Sequence, residues 1–314
     1  MILLAAFLLG TGAFPTYRIG ALEFAIRNGG IVEQAPKIIK VWANSPQIRV
    51  AVANNAPGFY NGMLQWRNVP AGSYLVSSRG VAEAATLTAG NLVARLSLPG
   101  GGRSSWRLES TIPKDYHFAI AYTAEAYRKF LPQQENSKLR FAIELGGTTI
   151  FSAMEIVSSL PFPTYLLPSF RDEAKLAQRY LGGRYFALAT GPDRLLLLDN
   201  RGYKLDSEQM QWVEQQLRDF RLAGVRRIIV FMQRSPELRR RAHNSIAKRQ
   251  EVRRLSKLLR KARITAIFAG GAERPASKNW QGIPLYLLDR REVIVADIKD
   301  TGFKISCCGK NKER

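Results

Sequence analysis

Histidine is nearly missing from this sequence: His117 and His243 are the only two in 314 residues. A metal centre built on imidazoles is therefore excluded. Cysteine is as scarce. Cys307 and Cys308 are neighbours, a spacing at which a mutual bridge is strained, so there is no disulfide framework and no Cys-x-x-Cys metal motif. Acids are few: 25 Asp and Glu face 47 Lys and Arg, a net charge of +22. That balance favours anionic partners and says little about fold. The apolar run at residues 2–9 is too short to span a bilayer. Thr11 and Ala13 follow it at the −3 and −1 spacing of a signal-peptidase site, so residues 1–21 read as an export signal, although no cation precedes the run beyond the α-amino group. The alternative is a buried N-terminal strand.

What is present is a globular composition, 46% hydrophobic and 23% charged, with room for one large domain or two ordinary ones. Residues 22–112 read as all-β. In "QIRVAVANN" (47–55), Ile48, Val50 and Val52 fall on one face at period two. "GMLQWRNV", "GSYLVSS", "AATLTAG", "LVARLSLP" and "SSWRLEST" follow, separated by Asn, Gly and Pro turns at the spacing of a small sandwich. After "TIPKDY" (111–116) the pattern changes to strands alternating with helices, the signature of an α/β domain over 113–300. Residues 301–314 read as a basic tail. The clearest helix is "SEQMQWVEQQLRDFRLAG" (207–224): Asp206 or Ser207 caps it, Glu208 sits in its first turn, and Gly224 ends it. Met210, Val213, Leu217 and Phe220 share one face.

The order of elements from 117 to about 298 resembles the calcineurin-like metallophosphoesterases. The resemblance is carried by "LLLLDNRGYKLDSEQMQWVEQQLRDFRLAGVRRIIVFMQRSP", where Leu198-Asp199-Asn200, Gln209-Met210-Gln211-Trp212-Val213 and Met232-Gln233-Arg234-Ser235-Pro236 stand at the family's Leu-Asp-Ser, Gln-x-x-Trp-Leu and His-before-Pro positions. It implies a four-layer α/β fold, two mixed sheets between helices, following the β-sandwich in the chain. It also implies a phosphoester hydrolase in which two divalent metals share a carboxylate and activate a water, held by Asp, Asn and His at strand ends.

Matched position by position, those ligands are absent. Tyr122 and Ala124 stand at the Asp-x-His motif, and Gly146-Gly147 at Gly-Asp. Phe170 and Arg171 replace Asn-His, Gln233 or Arg234 replaces the His before Pro, and Gly271 and Glu273 replace Gly-His-x-His. Arg171 is permanently cationic and cannot ligate a metal; only Glu273 could. The expectation is a packed, metal-free former site and no cofactor, with a divalent metal pair as the alternative. A second expectation is that Arg171, Arg234 and Arg274 converge where phosphate would sit, as candidate anion contacts.

"RSPELRRRAHNSIAKRQEVRRLSKLLRKAR" (234–263) carries twelve cations against two glutamates. Val252, Leu255, Leu258, Leu259 and Ala262 form an apolar stripe. Arg239, Arg240, Arg241, Lys248, Arg249, Arg253, Arg254, Lys257, Arg260 and Lys261 are left for an outward basic surface. That surface is either a solvated helix face or a contact for an anionic polymer, membrane surface or acidic protein. The stretch has no aromatics, which disfavours nucleic-acid binding by base stacking. The expected function is non-catalytic, a binding or scaffolding role in the cell envelope. The alternatives are an active phosphoesterase with an atypical site, and a cytoplasmic nucleic-acid-binding protein.

Overall fold

The computed structural model describes residues 15–35, 37–70, 72–77, 82–83, 86–88, 91–110, 113–130, 139–169, 171–237 and 246–308. The chain divides into two compact units. The first runs through residue 111 and takes in 160–165 and 173–184; the second holds 112–159, 166–172 and 185 onward.

The first unit is built from β1 (Thr16–Ile19), β2 (Leu22–Arg27), β3 (Gly29–Ala35), β4 (Ile38–Ala43), β5 (Arg49–Asn54), β6 (Tyr60–Arg67), β7 (Ser73–Ser77), β8 (Ala82–Glu83), β9 (Thr86–Thr88), β10 (Asn91–Leu98) and β11 (Arg103–Ser110). They form two sheets, ordered β1-β2-β5-β11-β7-β8 and β3-β4-β6-β10-β9. Ile48, Val50 and Val52 enter the shared core with Phe24, Val41, Leu64, Trp66, Leu96 and Leu108, while Ala51 and Ala53 face the other way against Ala25. The period-two alternation thus separates the faces as the pleat requires. The sandwich begins earlier than residue 22. Tyr17 and Ile19 of β1 pack against its core, and β1 pairs with β2 from Thr16↔Ala25 to Ile19↔Leu22. Residues 16–19 are therefore strand, and the rest of the export-signal reading, residues 1–14, lies outside the described residues. No helix among the described residues is long and apolar enough to cross a membrane.

Beyond residue 112 the chain forms β12 (Tyr116–Ala121), α1 (Ala124–Phe130), β13 (Leu139–Glu144), α2 (Ile150–Val157), β14 (Thr164–Leu166), then α3 (Ala174–Leu181), which belongs to the first unit, β15 (Phe186–Thr190), β16 (Asp193–Leu198), α4 (Ser207–Leu222), β17 (Arg227–Met232), α5 (Ile246–Lys261), β18 (Ala266–Ala269), β19 (Ala276–Trp280), β20 (Ile283–Leu287), β21 (Val293–Lys299) and β22 (Gly302–Cys308). One sheet runs β14-β13-β12-β21-β22, the other β15-β16-β17-β18-β20-β19. Both are mixed: β12 pairs with β13 in parallel and with β21 antiparallel, and β16, β17, β18 and β20 are parallel neighbours flanked by antiparallel β15 and β19. Their inner faces meet through aromatic side chains, Phe118 against Phe231 at 6.0 Å and Phe303 against Phe268 at 6.4 Å between ring centroids. On the outer face of the second sheet, Met210, Val213, Leu217 and Phe220 of α4 and Leu255 and Leu259 of α5 bury against Val230, Met232 and Ile267. Two mixed sheets between helices is the architecture the sequence resemblance implies.

The caps follow the sequence reading. The Asp206 carboxylate accepts from the Gln209 N–H at 2.8 Å, and α4 ends where Val225 N–H donates to the Phe220 carbonyl around Gly224, at φ 62°. The C-terminal reading needs correction. Residues 302–308 are no loose basic tail but β22, paired with β21 from Lys299↔Gly302 to Val293↔Cys308, because Phe303 has an apolar partner in Phe268.

At the end of the sheets where β16 and β17 begin, Asp193 is fully buried and joins the two layers. Its carboxylate takes Arg226 at 3.1 Å, Arg227 at 3.5 Å and the Tyr116 hydroxyl at 3.1 Å. Arg227 reaches on to the carbonyls of Lys299 and Gly302 at the β21–β22 turn. Asp193→Ala removes the buried anion that Arg226, Arg227 and Tyr116 share, leaving Arg226 with Asp300 and Arg227 with backbone carbonyls, which costs about 1–3 kcal/mol. Urea denaturation measures it, and a loss below about 1 kcal/mol would show that the cluster is not integral.

Candidate functional site

The loops that follow β12, β13, β14, β16, β17 and β18 gather at the carboxyl ends of the parallel strands, where ligands bind in open α/β sheets. They are held to one another by hydrogen bonds. Gln233, 2% exposed, lies in the middle. Its Oε1 accepts from the Asn200 N–H at 2.7 Å and its Nε2 donates to the Pro168 carbonyl at 3.1 Å. Gly146, at φ 78°, packs so close that a Cβ would stand 2.5 Å from the Pro168 oxygen and 2.9 Å from Gln233 Cγ. Asn200 pairs reciprocally with the next residue, its Nδ2 donating to the Arg234 carbonyl at 2.7 Å and its Oδ1 accepting from the Arg234 N–H at 3.0 Å.

Tyr122 occupies the space above the sheet ends. It is 3% exposed. Its carbonyl accepts from the Gly147 N–H at 2.8 Å, and its ring lies where a Cβ on Gly270 would come, 2.1 Å from the nearest ring carbon. The Arg234 guanidinium lies 6.0 Å from the Tyr122 ring centroid and 5.7 Å from that of Tyr203, and covers Gly271, where a Cβ would stand 2.3 Å from its Nη1. Burial pushes the Tyr122 hydroxyl above its ordinary value, against the opposing pull of Arg234 and Arg290.

Three carboxylates near the loops are already engaged. Glu144, wholly buried, accepts from the backbone N–H groups of Gly146, Gly147 and Thr148 at 2.9–3.0 Å. Burial raises its carboxyl to about 8, although those hydrogen bonds pull it down. Asp172 accepts from the N–H of Ser169 at 2.7 Å and of Ile150, at the start of α2, at 3.2 Å. Burial raises this acid too. Asp199 holds Arg201 in a paired bridge, Nε to Oδ1 and Nη2 to Oδ2, both 2.8 Å, and Arg201 Nη1 extends to the carbonyls of Ser169 and Asp172. Gln209 anchors the same turn from α4, its amide exchanging hydrogen bonds with the Asp199 N–H and carbonyl at 2.8 Å.

The rim therefore brings together Tyr122, Gly147, Gln233, Arg234 and Gly271. Ala124 lies behind it as the first residue of α1, its N–H donating to Thr148 Oγ1 at 2.9 Å. Arg171, Glu273 and Arg274 are exposed, and Arg234 lies at the rim beside Tyr122 and Gly271. Phe170 lies outside the described residues. Sequence reasoning missed Glu144, the most deeply buried acid of the rim. Its signal is Glu-x-Gly-Gly-Thr, an acid two residues before a glycine pair whose successive N–H groups turn back onto it.

Could these residues hold the pair of divalent ions that the resemblance implies? Such ions need several carboxylate, amide or imidazole donors aimed at one point. Here the strand ends offer a neutral phenol, glycines, a guanidinium and an amide engaged at both ends, and the acids point into backbone N–H groups or an arginine. Among the described residues, no three His, Cys, Asp or Glu side chains lie close enough to share a metal. The donor set does not fit.

On the basic surface, Arg253, Arg254, Lys257, Arg260 and Lys261 belong to α5, and Arg254 meets Glu214 of α4 at 3.1 Å. Arg218, Arg221 and Lys261 line a notch of about 120 Å³ between the two helices, floored by Leu217 and Leu258. Arg239, Arg240 and Arg241 lie outside the described residues, as do the side chains of Lys248 and Arg249.

Two measurements check this packing. Gly270→Ala drives a methyl into the Tyr122 ring and costs about 2 kcal/mol or more; in a Tyr122→Ala background the same change costs less than half as much, by chemical denaturation of all four proteins. Equal costs in both backgrounds would mean Tyr122 does not fill this space. The second concerns pH. Glu144 is raised in the fold, so the folded state holds a proton that the unfolded chain releases. Stability is then full below about pH 4.5, the ordinary glutamate value, and falls by about 1.4 kcal/mol per unit as pH rises toward 8. Glu144→Gln is less stable at pH 5 but lacks this slope; an unchanged slope would remove Glu144 as its source.

No protein-family model matches the chain, and neither does any curated protein. Solved structures do. GAP50, the anchor in the inner membrane complex of Plasmodium, is 10% identical over 64% of this chain and 87% of its own, with a TM-score of 0.45. TT1561 of Thermus thermophilus is 11% identical over 61% and 98%, at 0.39, and Vps29 of Entamoeba histolytica 10% over 62% and 99%, at 0.30. These are metallophosphoesterase-family structures. The layers and strand order described above, rather than these scores, give the second unit its place as an α/β sandwich of that type.

Proposed function

We propose that this chain is a non-catalytic protein on a metallophosphoesterase-like scaffold, which binds or scaffolds anionic partners through its basic surface, in the cell envelope. The observation that carries the first part is Gln233. Gln233, one of the two residues that the resemblance sets against the family's histidine, uses both ends of its amide to tie the Pro168 and Asn200 turns together, which supports a reading in which this side chain closes the loops. Opening the site would leave that buried amide unpaired, at a cost of about 1–3 kcal/mol.

Carboxylates already in place weigh against a phosphate pocket in the same loops. Backbone N–H groups that could cradle an anion are taken by Glu144 and Asp172, and Arg201 is neutralised by Asp199. The anion-binding role is better supported on α5, where the apolar stripe docks on the sheet and the cations face solvent. The apolar run at residues 2–9 supports export, and with it an envelope partner over nucleic acid.

The test has two arms. The purified chain, given manganese, magnesium or zinc, hydrolyses bis(p-nitrophenyl) phosphate no faster than buffer; hydrolysis that a chelator abolishes would overturn the non-catalytic reading. On immobilised heparin, a polyanion probe, the chain is retained and elutes with salt. Exchanging Arg253, Lys257 and Arg260 for Ser lowers the elution salt and flattens the salt dependence of log affinity by about two without changing the melting temperature. Retention unaltered by the triple exchange would remove α5 as the contact.

A further inference from the structure

The edge of the first unit holds a feature that this reading does not use. β1 and β3 are edge strands, one in each sheet of the sandwich, and the margin between them is open. Two adjoining hollows lie there, sharing Ile19 and Gln34 as a common wall. One, about 550 Å³, is lined by Ile19, Leu22, Phe59 and Tyr60 with small and amide residues, and among the described residues no charged side chain contributes to it. In a chain that is 23% charged that is an unusual wall. Phe59 is 70% exposed, a large apolar ring left in water at the hollow's margin.

The other hollow, about 500 Å³, combines Tyr17, Ile19 and Ile31 with Arg18, Lys175 and Arg179. No acid lines it. The nearby Glu33 is turned away, paired with Lys40 at 2.7 Å. Lys175 and Arg179 are one helical turn apart on α3 and so project from the same face. That helix is firmly seated: the Tyr17 hydroxyl donates to the Arg179 carbonyl, and Gly30 of β3 lets the backbones meet where a Cβ would stand 2.0 Å from that oxygen. Lys175 and Arg179 thus stand at one end of the trough, with the Arg179 guanidinium 5.5 Å from the Tyr180 ring centroid, while Arg18 alternates to the other face of β1, across from Glu23; uncharged aliphatic and aromatic groups hold the other end.

We propose that this trough binds a single-chain anionic amphiphile of the long-chain carboxylate type, its head at Lys175 and Arg179 and its chain running past Ile19 to Leu22, Phe59 and Tyr60. Clefts of this size with an apolar lining and a few convergent polar groups are the usual form of small-ligand sites. The two ends together set specificity: a guanidinium takes a carboxylate through paired hydrogen bonds, and the uncharged end gains by removing apolar chain from water. The site is independent of the basic helix and of the loops around Gln233.

Calorimetry on the full chain separates the two ends. Decanoate binds with a stoichiometry of one, and both decanol, which keeps the chain, and butyrate, which keeps the head, bind at least tenfold more weakly. Phe59→Ala weakens decanoate at least fivefold and leaves butyrate unchanged. The double exchange Lys175→Glu with Arg179→Glu weakens decanoate at least tenfold and leaves decanol unchanged. All three substitutions are at the margin of the trough, so melting temperatures stay within a few degrees, and a collapse of either variant would show that the trough is built differently. Absence of decanoate binding, equal affinity for decanol and decanoate, or decanoate binding indifferent to both exchanges would overturn the proposal.

Discussion

Gln233 carries the organisation of the second unit at its functional end. One neutral amide, buried and satisfied at both ends, spans two turns that follow different strands. Around it the remaining loops close without net charge at their centre: Asn200 pairs with the backbone of Arg234, Glu144 folds three N–H groups onto itself, and Asp199 neutralises Arg201. A pair of cations with bridging carboxylates would tie the same loops by charge. Tyr122 fills the space above the glycines, its ring lying where a Cβ on Gly270 would come, and brings no charge that burial would leave uncompensated.

The same accounting explains a division along the strands. At their carboxyl ends the polar groups are local and mostly neutral. At the opposite end an ionic cluster on Asp193 reaches both sheets and the β21–β22 turn. The aromatic layer between, Phe118, Phe141, Phe231 and Phe268 in stacked and edge contacts of 5.0–6.0 Å, is apolar throughout. One end of the sandwich is pinned by the Asp193 cluster, and the other by the hydrogen bonds of Gln233, Asn200 and Glu144 together with the Asp199–Arg201 bridge.

Much of the scaffold was legible in the sequence because local rules and tertiary packing agree. Helix α4 carries its own cap, apolar face and terminating glycine, and β16 and β17 are short continuous apolar runs of the kind that parallel strands require. Residues whose role depends on distant partners were not. β1 and β22 are short and partly polar, and become strands because Tyr17, Ile19 and Phe303 find cores made by residues far along the chain. Glu144 reads as an ordinary loop-preceding acid until the following glycines turn back on it. The residues at the ligand positions of the resemblance could be read one at a time, but the course of the Arg234 side chain could not: an arginine's reach is set by the surface it crosses, here the rings of Tyr122 and Tyr203.

The most direct test of the closed rim is anomalous diffraction from crystals grown with millimolar manganese and phosphate. The expected map shows no anomalous peak among the loops that hold Tyr122, Gly147, Asp199, Gln233 and Gly271, with the Gln233 amide still joined to Asn200 and Pro168. Two peaks a few ångströms apart among those loops, with the amide swung aside, would contradict the account.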